Sequence, residues 1–177
     1  MDLYLFSLKT PAARALRTDP DIRLTEAPST TLSIILNPAP APEGQLNPFA
    51  SQRIRQSIHN LVDRGFIVSD IYQGMAFPMI THLSPSDFDF LTVYDLVKGA
   101  DMRYDPEGAR GVIAEEMTRV GAQMVDGAWH FGGRPVLLKF IIRVEDERRE
   151  IGDLLRVELA KAGFTVLPSY QQFAPAV

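Results

Sequence analysis

The chain has 177 residues, a formal net charge of −4, 46% hydrophobic and 23% charged residues, and no cysteine. That length and balance suit one globular domain with a real core. An acidic balance with no Lys/Arg-rich run offers no field for nucleic acid, and the absence of cysteine excludes disulfide frameworks and thiolate-held metals.

From the front, Leu3–Leu8 reads as a short buried strand. Thr10-Pro11 opens a helix, with Thr10 as N-cap and Pro11 where a missing N–H costs nothing; it runs towards Asp19-Pro20. Ile22–Glu26 and Thr30–Leu36 are β-branched runs between turn residues and are expected to be strands. Asn37–Pro48 is a proline-rich connector, read as a strand-to-helix loop rather than a proline-rich signalling ligand. No apolar run reaches the roughly 20 residues that span a bilayer. The Met1-Asp2-Leu3-Tyr4 start has no basic lead and does not read as a signal peptide.

Ser51 is a good N-cap for a helix whose Ile54, Ile58, Leu61 and Val62 share one face. Asp63-Arg64-Gly65 interrupts it, and a second short segment presents Phe66, Ile67, Ile71 and Tyr72 before Gly74. Met75–Pro85 is a loop. Asp87-Phe88-Asp89-Phe90 follows, read as surface acids with phenylalanine anchors at a turn or helix start. Asp105-Pro106-Glu107 is good capping chemistry for a helix with a stripe of Ala109, Val112, Ile113 and Met117. A hairpin then turns at Asp126-Gly127 and Gly132-Gly133, with Trp129 packing across it and Pro135–Val144 returning as a long strand. Asp146–Gly163 is an amphipathic helix with Ile151, Leu154, Leu155 and Leu159 inward, and Phe164–Leu167 is one more strand. This order predicts an α+β fold with a mixed, partly antiparallel sheet packed by helices.

Catalytic signatures do not accompany these elements. His59, His82 and His130 sit on a helix, a loop and a hairpin strand, none at metal-ligand spacing. There is no G-x-S-x-G, P-loop or G-x-G-x-x-G. The expectation is a protein that is not an enzyme, with no cofactor and no metal.

Two motifs carry a resemblance. The first is Asn47-Pro48-Phe49, then Arg53-x-Arg55-Gln56-Ser57-Ile58, then Asp63-Arg64-x-x-Ile67-Val68-x-x-Ile71-Tyr72-x-Gly74. The second is Tyr104-Asp105-Pro106-Glu107-x-Ala109-Arg110. In order and spacing they resemble the extracytoplasmic solute-binding proteins of peptide-, oligopeptide- and nickel-type ABC importers, family 5. The resemblance covers about Leu3 to Phe173 and implies mainly the second lobe of a periplasmic-binding-protein-like type II fold. Residues 1–46 would lead into the lobe and 47–177 would form its body, as one domain truncated relative to the family.

The resemblance further implies capture of a peptide or related small solute by closure of two lobes, and delivery to a membrane permease. The location would be periplasmic or at the cell surface. Implied partners are the solute, the permease and the rest of the binding protein, with self-association of the fragment. Ser33, Asn37, Pro78, Thr81 and His82 are the implied cleft-facing positions. Where the family often carries aromatics before that Asn, Leu32-Ser33-Ile34-Ile35 has none. The alternative is an intracellular α/β domain acting as an enzyme or interaction module.

Overall fold

The computed structural model describes residues 8–25, 31–100 and 103–173. The chain divides into two compact units, Met1–Ile34 with Val68–Ala100, and Ile35–Ile67 with Asp101–Val177.

In the first unit, helix α1 spans Thr10–Leu16 with Pro11 in its first turn. The helix starts one residue earlier than expected: Lys9 takes the N-cap position and no side chain caps it. The predicted strand Leu3–Leu8 falls almost wholly outside the described residues. Residues 22–25 and 31–36, from the other two predicted strands, are not strands. An extended run becomes a strand only when a neighbour pairs its backbone. Among the described residues, 31–36 make no backbone hydrogen bond.

Helix α4 spans Phe88–Val97, after α2 (Gln52–Leu61) and α3 (Arg64–Phe66), which belong to the second unit. The Asp87 carboxylate accepts from Ser84 N at 3.2 Å and makes no capping bond to the helix. Phe90 is buried, but Phe88 is 79% exposed, so only one of the two phenylalanines anchors. Among the described residues, Ile71 and Phe90 are this unit's buried apolar side chains.

The second unit holds the continuous core. Asn47 accepts from Phe49 N and caps a short 3-10 helix, Pro48–Ala50. Helix α2 (Gln52–Leu61) follows, and its N-cap Ser51 accepts from Ile54 N as expected. Ile54, Ile58 and Leu61 are buried, while Val62 sits at the C-cap, partly buried against the core. Asp63 caps a single turn, α3 (Arg64–Phe66), by accepting from Phe66 N at 2.9 Å. Phe66 is 42% exposed there. A π-helical turn, Ile67–Ile71, continues the chain.

Helix α5 (Pro106–Arg119) starts as predicted: Asp105 accepts from Gly108 N at 2.9 Å, with Pro106 and Glu107 in the first turn. Its Ala109, Ile113 and Met117 pack with Ile54, Ile58 and Leu61 of α2 in one cluster. Between the helices lies Glu116, 2% exposed. Its carboxylate accepts from Ser51 Oγ (2.7 Å), Arg53 Nη1 (2.9 Å) and Arg119 Nη2 (2.7 Å). Those bonds, led by Arg119, hold its pKa at about 2, below the ordinary 4.5, against the opposing effect of burial.

Two sheets complete this unit. Strands β1 (Gln123–Val125), β2 (Ala128–Phe131) and β3 (Arg134–Pro135) pair antiparallel. Positive φ at Asp126 (49°) and Gly127 (80°) makes the first tight turn. The predicted long strand divides at Val136. Strand β4 (Leu137–Arg143) leaves the hairpin and pairs in parallel with β5 (Thr165–Gln171) across helix α6 (Arg148–Lys161). The sheet is therefore two separate pieces, one antiparallel and one parallel.

Gly152 lets α6 press onto β4, since a Cβ there would lie 2.5 Å from Ile142 Cγ2. Leu154, expected inward, is 39% exposed; Ile151, Leu155 and Leu159 form the buried face. Trp129 is buried, but its Nε1 donates to Ala162 O at 2.9 Å, so it seats on the end of α6 rather than only across its hairpin.

Ile113→Ala, at a side chain with no exposure, is expected to lower unfolding free energy in urea by about 2–5 kcal/mol. Leu96→Ala, on the exposed side of α4, should change it by less than about 0.5 kcal/mol. The Glu116 pKa is depressed by folding, so the unfolded chain binds more protons between its ordinary value and about 2. Stability from this group is complete above pH 4.5 and falls as pH drops towards 2. Urea midpoints measured against pH should show that decline, and Glu116→Gln should be less stable at neutral pH with a flatter acid limb.

Candidate functional site

The five residues implied by the resemblance fall in both units. Ser33 lies in the unpaired extended run and is exposed; Pro78 and His82 are exposed in the loop before α4. Thr81, partly buried, accepts from Leu83 N at 3.1 Å and donates to Leu83 O at 3.3 Å. This closes a small hydroxyl-stapled turn that fixes the backbone beside His82. These four belong to the first unit and Asn37 to the second. Asn37 is occupied by its own loop: its Oδ1 accepts from Ala39 N at 3.0 Å and its carbonyl accepts from Asn47 Nδ2 at 2.8 Å. An exposed serine, a ring nitrogen pair and a stapled turn supply donors and acceptors for a polar ligand, with no nucleophile–base pair among them.

A different set of residues lines an open polar cleft of about 540 Å³ within the first unit: Arg14, Arg17, Thr18, Ser69, Asp70, Gln73 and Met75. Arg14 Nη1 donates to Gln73 Oε1 at 2.7 Å, tying α1 to the turn after the π-helical segment. That turn is backbone-demanding. Gln73 has φ 51° and Gly74 φ 82°, and Gly74 N donates to Val68 O at 2.7 Å. A non-glycine residue at positive φ is uncommon and is held there by its surroundings, here by the Arg14 bond. Ser69 Oγ donates to the Asp70 carboxylate on the same wall. The lining thus combines guanidinium, hydroxyl, amide and carboxylate groups, a polar wall of both charge signs. None of the five implied residues lines this cleft. Sequence reading passed over it. The available signal was Arg14 and Arg17 at i, i+3 on one helix, but their partner Gln73 lies 59 positions away.

Two of the three histidines, His59 and His130, are engaged in structural bonds. His59 Nδ1 lies 3.1 Å from Arg64 Nη2, and His130 Nδ1 lies 3.1 Å from Ala128 O. Burial, with the Arg64 charge adding to it, pushes the His59 pKa down and favours the neutral ring that accepts from Arg64. Among the described residues no group of three His, Asp or Glu is placed to hold a metal ion, and no helix is long and apolar enough to cross a membrane.

Residues 2–174 match the family model described as bacterial extracellular solute-binding proteins, family 5, middle. Heme-binding protein A of Haemophilus influenzae is 29% identical over 114 residues, which is 64% of this chain and 19% of that protein. Among solved structures, a periplasmic oligopeptide-binding protein of Thermotoga maritima with bound mannohexaose aligns with a TM-score of 0.58 at 20% identity. It covers 72% of this chain and 24% of its own. The oligopeptide-binding protein AppA of Bacillus subtilis, in complex with a nonapeptide, gives 0.56 at 20% identity over 71% of this chain and 24% of its own. NikZ of Campylobacter jejuni with Ni(L-His) gives 0.54 at 19% identity over the same shares.

At these identities the structures establish a shared fold, that of the periplasmic binding proteins of type II, consistent with the α+β order of elements. The chain spans 19–24% of the length of these relatives. The match along 2–174, together with the shared fold, settles the family: this chain belongs to the family 5 bacterial extracellular solute-binding proteins.

Proposed function

We propose that this chain is part of the substrate-binding component of an ABC importer for peptides or related small solutes. The observation that carries the reading is the family match along nearly the whole chain. Solute capture proceeds by closure of two lobes around the ligand, with binding energy from enclosing it and pairing its polar groups out of water. The partners in this account are the solute, the membrane permease that receives it and the remainder of the binding protein; the place of action is extracytoplasmic. The protein is a binder and performs no chemistry on its cargo.

Within this reading Ser33, Asn37, Pro78, Thr81 and His82 face the ligand. Ser33 and His82 are exposed polar side chains, free to turn towards a solute. Thr81 holds the loop backbone through Leu83, and Pro78 limits its conformations. Relatives bind solutes as different as a nonapeptide, mannohexaose and a nickel–histidine complex, so the solute is to be found by screening.

Deleting the gene in its host and measuring uptake of labelled di- and oligopeptides, oligosaccharides, heme and nickel–histidine tests the proposal. Loss of uptake of one class, restored by complementation, is the expected outcome; unchanged uptake of all classes would refute it. With the solute known, Ser33→Ala and His82→Ala in the whole binding protein should each weaken its affinity by about 1 kcal/mol, roughly fivefold. Titration calorimetry reads this directly. Unaltered affinity in both variants would remove these residues from the site while leaving the transport reading intact.

A further inference from the structure

The segment from Asn37 to Asn47 begins and ends on asparagine and carries proline at 38, 40 and 42. Each of those prolines lacks an N–H, and each holds the residue before it away from the helical region. Such a segment has few backbone donors with which to fix its own shape. A backbone turn forms at Pro42–Gln45, where Gln45 N donates to Pro42 O at 3.0 Å and Gly44 takes φ 73°.

Asn47 supplies a second hold. Its Nδ2 donates to Asn37 O at 2.8 Å and to Ala39 O at 2.7 Å, while its Oδ1 accepts from Phe49 N at 3.1 Å. The orientation of this amide is forced, because a carbonyl only accepts and a backbone N–H only donates. One side chain thus ties the start of the segment to its end and closes an Ω-type loop. Both ends are seated as well. Leu36, Leu46 and Phe49 pack against the core of the second unit, and Arg55 Nη1 donates to Phe49 O at 2.6 Å. All of these hydrogen bonds are made within residues 37–55, so the closed loop is a property of the local chain.

The consequence falls on Asn37. Its carbonyl is held by Asn47, and its Oδ1 accepts from Ala39 N at 3.0 Å. Ala39 is itself held by Asn47 through its carbonyl. Position 37 is therefore fixed from its main chain and from its side chain. The amide is planar, so fixing its oxygen fixes its NH2 group too. A donor held in place loses less freedom on binding than one on an open loop.

We propose that, with Asn37 facing the solute as in the transport reading on which this rests, Asn47 is a positioning residue of the solute site. By closing the 37–47 loop it presents the Asn37 NH2 group to an acceptor oxygen of the solute. A peptide carbonyl, a saccharide hydroxyl, a heme propionate and a histidine carboxylate each carry such an oxygen.

Asn47→Asp separates the latch from the cap. Its carboxylate still accepts from Phe49 N but has no donor for the two carbonyls, which it repels. In the 177-residue chain, amide exchange of Ala39 and Gln45, each bonded inside the loop, should speed up roughly tenfold. The amide of Ile58 in α2 should be unaffected. Unchanged exchange at Ala39 and Gln45 would overturn the latch and leave the transport reading standing. In the whole binding protein the calorimetric probes are trialanine, mannohexaose, heme and nickel–histidine. For a probe that binds, Asn37→Ala and Asn47→Asp should each weaken affinity roughly fivefold. The double variant should be no weaker than Asn37→Ala alone, because Asn47 acts through Asn37. A further loss in the double variant would make Asn47 a general structural residue, and full affinity in Asn37→Ala would remove the donor; either result overturns the proposal but not the transport reading. If none of the four probes binds, the transport reading fails and the role of Asn47 fails with it.

Discussion

A buried carboxylate with every lone pair in use governs the packing of this chain. Glu116 arises from the middle of the α5 core stripe, where an apolar residue would be expected, and reaches the start of α2. There it meets Ser51 and Arg53, while Arg119 of its own helix closes the remaining side. Ser51 serves both elements: its oxygen accepts from Ile54 N and its hydroxyl donates to Glu116. The cap that begins α2 is therefore also the contact that sets its angle against α5. A buried charge left unpaired is costly, so the two helices are held in the one arrangement that satisfies it. The apolar cluster of Ile54, Ile58, Ile113 and Met117 then packs beneath the pair.

The distribution of buried side chains separates the two units. Apart from Ile71 and Phe90, the buried apolar residues among those described belong to the second unit. The first unit presents α4, mostly apolar in sequence, with Phe88, Leu91 and Leu96 exposed. Local stability follows buried contact, and segments that move on binding come from its low end. Four of the five residues proposed to face the solute lie in that first unit, whose described residues include few buried apolar side chains.

Local chemistry made much of the fold legible. Ser51 and Asp105 cap the helices they were expected to cap, Gly127 and Gly132-Gly133 turn the hairpins, and Gly163 ends α6. Long-range pairing was harder to read. The apolar run from Pro135 looks the same whether it returns along a hairpin or leaves it for a parallel partner, because periodicity within a strand is blind to its neighbour. The same limit explains residues 31–36, whose β-branched sequence supplies strand propensity but which have no backbone partner among the described residues. Leu154 was assigned inward by helical spacing, yet it lies at the margin of a face where exposure depends on what packs above it. The Glu116 network was illegible too, since a glutamate in a helix is ordinarily read as solvated. Of the site, the sequence motifs carried the family, while the Arg14–Gln73 cleft depended on a contact between distant segments.

The division of stability between a clasped core and a more lightly packed first unit is the physical core of this account. Native-state amide hydrogen exchange, resolved by NMR, measures it residue by residue. Amides of Ile58, Ile113, Met117 and Leu155 should open only with global unfolding, and those of Leu91, Tyr94 and Leu96 in α4 should open at far lower free energy. Equal protection of α4 and the α2–α5 core would contradict the account, because it would mean that the first unit is held by packing as strong as that around Glu116.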